Sequence, residues 1–249
     1  MKPLEKIFAV LEAVISHQEN GLTFAGTVAS TALPKASVHR ILKGMTELGY
    51  LIFDSKTKRY RGALKLAALG AEVTSNFDFR KLVHPQLIRL QQETNHTSNM
   101  AIKNGSAGIC MDKIESQDYG IKLILNIGNS FPLYCTGLGK VLLAYSPPSE
   151  ADRILSKKLK SYTENTITDP LALKKELKQI KEQGYALDRE EVTRGIMCVA
   201  APVFGIGGEI LCAISVAFPS YVNSDRGIDS EIKAVKFHAA TISGFFNQH

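Results

Sequence analysis

Residues 33–51, LPKASVHRILKGMTELGYL, place the tightest limit on what this chain can fold into. Val38, Ile41, Leu42, Met45 and Leu48 recur at i, i+3, i+4, i+7 and i+10, the apolar stripe of one amphipathic helix. The opposite face carries Lys35, Ser37, His39, Arg40 and Lys43, gathered toward the amino-terminal half. Pro34 suits the first turn, where its missing N–H leaves nothing unpaired, and Gly49 stops the helix. Such a helix is either a solvated surface element or one that enters a DNA groove, and its neighbours separate the two.

Upstream, Leu4, Ile7, Phe8, Leu11, Val14 and Ile15 mark a first amphipathic helix, and residues 23–30, with Phe24, Val28 and Ala29, a short second one. Residues 31–33 then lead into the basic helix at the spacing of a helix-turn-helix. Downstream, residues 50–53 and 59–61 read as strands around the polar turn 54–58, a wing tipped by Lys56, Lys58, Arg59 and Arg61. Within residues 1–62 nine Lys and Arg stand against five Asp and Glu, so +4 of the chain's +6 lies in its first quarter. Charge gathered over helix and wing is the electrostatic footprint of duplex DNA binding. The candidate DNA-contacting residues are Lys35, Ser37, His39, Arg40, Lys43, Lys56, Lys58 and Arg59.

A chain of 249 residues leaves room for a second, larger domain with its own core. Its 45% hydrophobic and 22% charged residues are globular proportions. No apolar run has the length a bilayer needs, and the amino-terminal helix carries Glu5 and Glu12 rather than a secretory signal, so the expected location is the cytoplasm. Cys110, Cys135, Cys198 and Cys212 are far apart in apolar surroundings, which suits buried thiols better than a metal site or disulfide framework. No cofactor is expected.

Residues 64–73 are rich in Ala and Leu and read as a linker helix. Leu64, Ala67, Ala68 and Ala71 either face a second subunit, which small side chains let approach closely, or pack on their own domain. From residue 77 the pattern mixes helices and strands. Helix 79–94 has Leu82, Leu87 and Leu90 inside; strands 99–103 and 107–114 flank an Asn104-Gly105 turn. A strand over 121–127 and short helices at 139–145 and 149–155 follow. Helix 173–183 is capped by Asp169, begun by Pro170 and closed by Gly184. Strands 199–204 and 210–218 turn around Gly207-Gly208, and helix 229–246 turns Ile232, Val235, Ala239, Ile242 and Phe246 inward. Hairpins interleaved with helices imply an α+β domain around an antiparallel sheet, suited to hold a small molecule between sheet and covering loops. The expected divisions are 1–62, 63–76 and 77–249.

The winged helix, the Ala/Leu-rich linker, FPLYCTGLGKVLLAY at 131–145, GYALDREEVTRGIMCVAAPVF at 184–204 and CAISVAFP at 212–219 together resemble the IclR family of bacterial transcriptional regulators. The resemblance covers nearly the whole chain. It implies an amino-terminal winged helix-turn-helix, a linker helix through which subunits pair, and a carboxy-terminal effector domain similar to GAF and PAS folds. It further implies a small organic acid, aromatic or sugar-derived effector and repression of an operon for its metabolism. The stretch 188–198 matches the family's pocket lining, with Asp188 and Cys198 on its polar positions, and Ser215 matches another. Ala217 stands where relatives that bind small keto acids carry a second serine, and Leu138 where they carry a smaller residue, which argues against glyoxylate or pyruvate.

The residues of that pocket also carry a physical argument. Glycines at 137 and 139 precede a helix, so free N–H groups from Thr136 through Gly137 and Leu138 to Lys140 can point at an anion. The G-x-x-x-x-G-K-[ST] spacing of a phosphate loop is missing. Asp188, taken as charged, accepts a ligand hydroxyl while the ligand carboxylate sits at the cradle; Cys198 and Ser215 donate. Leu123, Leu125, Leu133 and Met197 supply apolar walls or plain core. Two other readings stand beside this one: a regulator answering to a partner protein, and an enzyme with Cys135 or Cys198 as nucleophile and His84, His96 or His238 as base. The expected assembly is a homodimer, or a dimer of dimers as a homotetramer, on a palindromic operator of double-stranded DNA.

Overall fold

The computed structural model describes residues 2–75, 78–116, 125–223 and 227–246. The chain divides into two compact units, Met1–Phe77 and Asp78–His249. In the first, α1 (Pro3–Ile15), α2 (Phe24–Thr31) and α3 (Lys35–Glu47) pack with an antiparallel sheet. Its strands are β1 (Leu22–Thr23), β2 (Leu51–Asp54) and β3 (Arg59–Gly62), in the order β1-β3-β2. Thr23 caps α2 by accepting the Gly26 N–H at 3.1 Å, and Ala32, left-handed at φ 53°, turns the chain toward α3. Pro34 is the N-cap of α3 rather than a residue of its first turn, and Gly49, at φ 76°, follows the C-cap Leu48. The stripe Val38 and Leu42 meets Val10, Val14, Leu22, Leu33 and Leu51 in the core. The helix α4 (Leu64–Ser75) completes the unit.

The first helix departs from its sequence reading. Its buried residues are Val10 and Val14, while Leu4, Phe8 and Ile15 are exposed, at 68% for Leu4 and 56% for Phe8. The helix therefore carries apolar side chains on more of its circumference than one small core can bury.

The second unit is three-layered. Its antiparallel sheet contains β4 (Thr97–Asn104), β5 (Ala107–Ile114), β6 (Ser130–Pro132), β7 (Ala186–Arg189), β8 (Ile196–Phe204) and β9 (Ile210–Pro219). The strands run in the order β6-β5-β4-β9-β8-β7. One face is covered by α5 (Asp78–Thr94) and α9 (Asp229–Phe246), the other by α6 (Gly137–Ala144), α7 (Pro148–Leu155) and α8 (Pro170–Gln183). Asp169 caps α8 through the Ala172 N–H at 2.7 Å, and Gly184 closes it at φ 77°.

Strand parity sorts residues between the two faces. On β8, Met197, Val199, Ala201 and Val203 meet α5 and α9, whereas Ala200 meets α6. In α5 the buried stripe is Val83, Leu87 and Leu90, at i, i+4 and i+7, and Leu82 is 40% exposed. The first hairpin turns one residue later than expected: Asn104 pairs with Ala107, so Gly105 and Ser106 form the turn. The strands β6 and β7 were hidden by their shortness. The strand read over 121–127 lies largely outside the described residues; Leu125 and Asn126 are irregular.

Candidate DNA interface and ligand cavity

Lys35, His39, Arg40 and Lys43 are exposed on α3, opposite Val38 and Leu42. Ser37 is half-buried at the flank of that face. Arg40 has no ion pair or hydrogen bond among the described residues, while Lys43 lies 3.8 Å from Glu47 one turn on. At the wing, Asp54 holds the turn by accepting the N–H of Lys56 (2.8 Å) and the hydroxyl of Thr57 (2.7 Å). The Thr57 hydrogen bond first, and then the backbone N–H groups, hold the Asp54 carboxyl below its usual range. Lys56 and Lys58 are thereby presented as exposed cations at the tip. Arg59 behaves differently from its sequence reading: its Nη1 donates to Gly21 O at 2.8 Å, bracing the start of β1. Arg61 reaches Asn20 O in the same way at 3.3 Å.

In the second unit a cavity of about 800 Å³ opens between the sheet and α6, within the range of small-molecule sites. Thr136, Gly137, Leu138, Asp188, Cys198 and Ser215 all line it, as does Leu125. Leu123 lies outside the described residues. Leu133 and Met197 do not line the cavity: Leu133 packs beneath α6 and Met197 faces the α5/α9 layer. Met197 and Cys198 are neighbours on one strand, so only one of them can face the cavity. Asn99, Phe131, Tyr162 and the stretch Val192–Gly195–Ile196 complete much of the lining. Asn99 escaped the sequence reading, although Thr97-Ser98-Asn99 entering a buried strand is a usable signal, since buried polar groups need partners.

The cradle at the start of α6 is narrower than expected. Thr136 Oγ1 accepts the Gly139 N–H at 2.9 Å and Thr136 O accepts the Lys140 N–H at 2.8 Å. The Gly137 and Leu138 N–H groups donate to no protein acceptor among the described residues, and they remain for a ligand. Gly139 is dictated by space, since a Cβ there would lie 2.7 Å from Leu133 Cα.

Behind the cradle lies a buried charge cluster. Lys140, wholly buried, donates to Glu176 at 3.0 Å and to Glu191 at 2.5 Å. Glu191 in turn donates its N–H to Asp188 Oδ1 at 2.7 Å. The lysine thus ties the loop after β7, whose Glu191 holds the Asp188 carboxyl, to α6. Burial, opposed by the Glu191 N–H and reinforced by the Glu191 charge, pushes the Asp188 carboxyl up to about 7. This corrects the expectation of a fully charged Asp188: near neutral pH it is part protonated and both donates and accepts.

The thiols do not suit a nucleophile. Burial pushes Cys135 up to about 12 and Cys198 well above its ordinary value, so both stay protonated. The histidines are engaged elsewhere: His84 with Asp112 at 2.6 Å, His96 with Glu231 at 3.3 Å, and His238 with Gln86 at 2.8 Å and Glu93 at 3.0 Å. Among the described residues no group of His, Cys, Asp and Glu is placed to hold a metal ion, and no helix is long and apolar enough to cross a membrane.

A helix-turn-helix with a cationic wing and a separate unit built around a ligand-sized cavity define a DNA-binding transcriptional regulator with its own effector-binding domain. The chain belongs to the IclR family: residues 3–55 match the IclR helix-turn-helix domain and residues 71–244 the bacterial transcriptional regulator IclR C-terminal domain. It is 32% identical over 245 residues to the HTH-type transcriptional regulator KdgR of Escherichia coli, covering 98% of this chain and 92% of that one. It is 30% identical to the DNA-binding transcriptional repressor YiaJ of the same organism, over 94% of this chain and 84% of the relative. Among solved structures, Thermotoga maritima IclR is 28% identical with a TM-score of 0.76, covering 98% of both chains. A regulator from Alicyclobacillus acidocaldarius is 25% identical with a TM-score of 0.85, also covering 98% of both.

Proposed function

We propose that this protein is a repressor whose grip on a palindromic operator is altered by a hydroxylated or aromatic organic acid. The observation that carries the effector half is the pair of unengaged N–H groups at Gly137 and Leu138, at a cavity that Asp188, Cys198 and Ser215 also line, the first two close beside Gly137. A ligand carboxylate sits at those N–H groups, where the helix dipole favours negative charge. Part-protonated Asp188 takes a ligand hydroxyl or donates to the carboxylate. Leu138 and Ala217, both in the lining, make the site more apolar than one built for two- and three-carbon keto acids. A solved structure of the same fold, an IclR homologue from Microbacterium hydrocarbonoxydans, is complexed with 4-hydroxybenzoate, which has the proposed chemistry.

The DNA half assigns base-edge or phosphate contacts to Lys35, Ser37, His39, Arg40 and Lys43, and phosphate contacts to Lys56 and Lys58, with Arg59 steadying the wing from behind. Residues 1–62 bind DNA, 63–76 pair subunits and 77–249 sense the ligand, in a cytoplasmic homodimer or dimer of dimers. To act, the ligand binds one arrangement of that assembly more tightly than the other. Gel-shift titration against the DNA upstream of the protein's own gene tests both halves. Arg40→Ala should lose about 1 to 3 kcal/mol of specific binding, and carboxylic acids, not their neutral amides, should shift the wild-type midpoint. An unchanged Arg40→Ala midpoint, or amides as effective as acids, overturns the corresponding half.

A further inference from the structure

Asn99 is 3% exposed, lies on β4 and lines the cavity, yet its side-chain oxygen Oδ1 is buried without a hydrogen-bond partner among the described residues. The residue beside it meets the opposite condition. Ser98, on the other face of the strand, donates its hydroxyl to Leu87 O at 2.9 Å. A buried amide oxygen without a partner is costly, and native structures seldom keep one unless a water or ligand completes it. The neighbouring strands set its position. Asn99 pairs with Ser215, and Ser215 pairs with Ala200, so the three form one row across β4, β9 and β8. A Cβ on Gly137 would lie 3.4 Å from Ala200 Cβ, which places the start of α6 over the far end of that row.

We infer that Asn99 is a specificity-determining residue that reads a hydroxyl at the end of the ligand remote from its carboxylate, with the Ser215 hydroxyl beneath the middle. This rests on the acid-effector reading and extends it to a minimum ligand length. Two strand spacings separate β8 from β4, so the helix start and Asn99 stand roughly 10 Å apart along the row. Subtracting a hydrogen bond of roughly 2.9 Å at each end leaves roughly 4 Å between a carboxylate oxygen and the hydroxyl oxygen, so the bridging acid holds roughly three or four bonds between carboxylate carbon and terminal hydroxyl. A two-carbon acid such as glycolate falls short of spanning both ends. An acid of the right length without the hydroxyl leaves the buried Asn99 oxygen unpaired, whereas the hydroxylated acid supplies the missing hydrogen bond, so the site discriminates between the two.

Calorimetry on the full-length protein with matched acids tests this. The pairs are 3-hydroxypropionate with butyrate and 4-hydroxybutyrate with pentanoate; glycolate is the short control. Wild-type protein should prefer the hydroxylated member of at least one pair by tenfold or more. In Asn99→Leu that preference should fall to within about twofold, while neither variant changes the affinity for glycolate. Asn99→Ser, whose side chain is too short to reach, should repeat the loss and serves if the Leu variant melts early. Acids that bind without hydroxyl preference, or a preference kept in both variants, overturn the role of Asn99 and leave the acid site standing. If no acid of any length binds the wild type, the acid-effector reading itself falls, and the inference with it.

Discussion

At Asp188 the environment sets the chemistry more than the residue type does. A carboxyl whose ordinary value is 3.8 is pushed up to about 7 by burial, so the folded state prefers the proton. The contribution of this group to stability is therefore full below about pH 4, declines as pH rises through the folded value near 7, and is flat above it. Asp188→Asn, which keeps an oxygen for the Glu191 N–H, should stabilise the ligand-free protein at pH 8 by up to ~4 kcal/mol and leave it unchanged at pH 4. Urea melts at pH 4, 6 and 8 measure this, and a pH-independent difference would show that Asp188 is not the titrating group. Its type and cavity position were legible in the sequence, from the stretch 188–198. Its protonation was not, because burial and the Lys140–Glu191–Glu176 cluster assemble from α6, α8 and the loop after β7.

At the scale of elements, the wing and α3 take different parts in the proposed DNA binding. The Asp54 cap holds Lys56 and Lys58 at an exposed tip, where phosphates are the available partners. Replacing both with Ala should weaken binding to operator and unrelated DNA alike, and should flatten the log-affinity against log-salt slope by about one for each lysine–phosphate pair removed. Fluorescence anisotropy at several salt concentrations checks it; a specific loss at the operator alone would place these lysines at base edges. Arg59 shows what pattern reading misses. Its charge counted toward the basic wing, but a guanidinium with carbonyl groups in reach satisfies them first, and Gly21 O lies 2.8 Å away. Parity and helical spacing otherwise made the elements readable: α3, α8 and the β8–β9 hairpin need only their own residues. The misplacement of Leu82 and Met197 came from apolar residues on both sides of a buried element, where composition no longer tells one face from the other.

For the whole molecule, unburied apolar surface points to assembly. Leu64 is 85% exposed at the start of α4, Ala67 and Ala68 are exposed beside it, and Leu4 and Phe8 are exposed on α1. Leu64→Glu with Ala67→Glu should split the dimer by setting like charges against each other in the proposed interface. Operator affinity should then fall by tenfold or more, because two tethered half-site contacts become independent. Sedimentation velocity reads the first effect and gel shifts the second, and a doubly substituted protein that remains dimeric moves the interface elsewhere. What the sequence determined by itself was local: helix stripes, caps, turns, the concentration of positive charge in residues 1–62, and the motifs that mark the family. These depend on residues within a few positions of one another, so spacing along the chain records them. Only the tertiary structure decided which side chains share the cavity, since Asn99, Thr136, Asp188, Cys198 and Ser215 come from separate elements of one sheet and helix. It also decided which of them would be left unpaired or part protonated, because burial and partner geometry arise only when strands distant in sequence lie side by side.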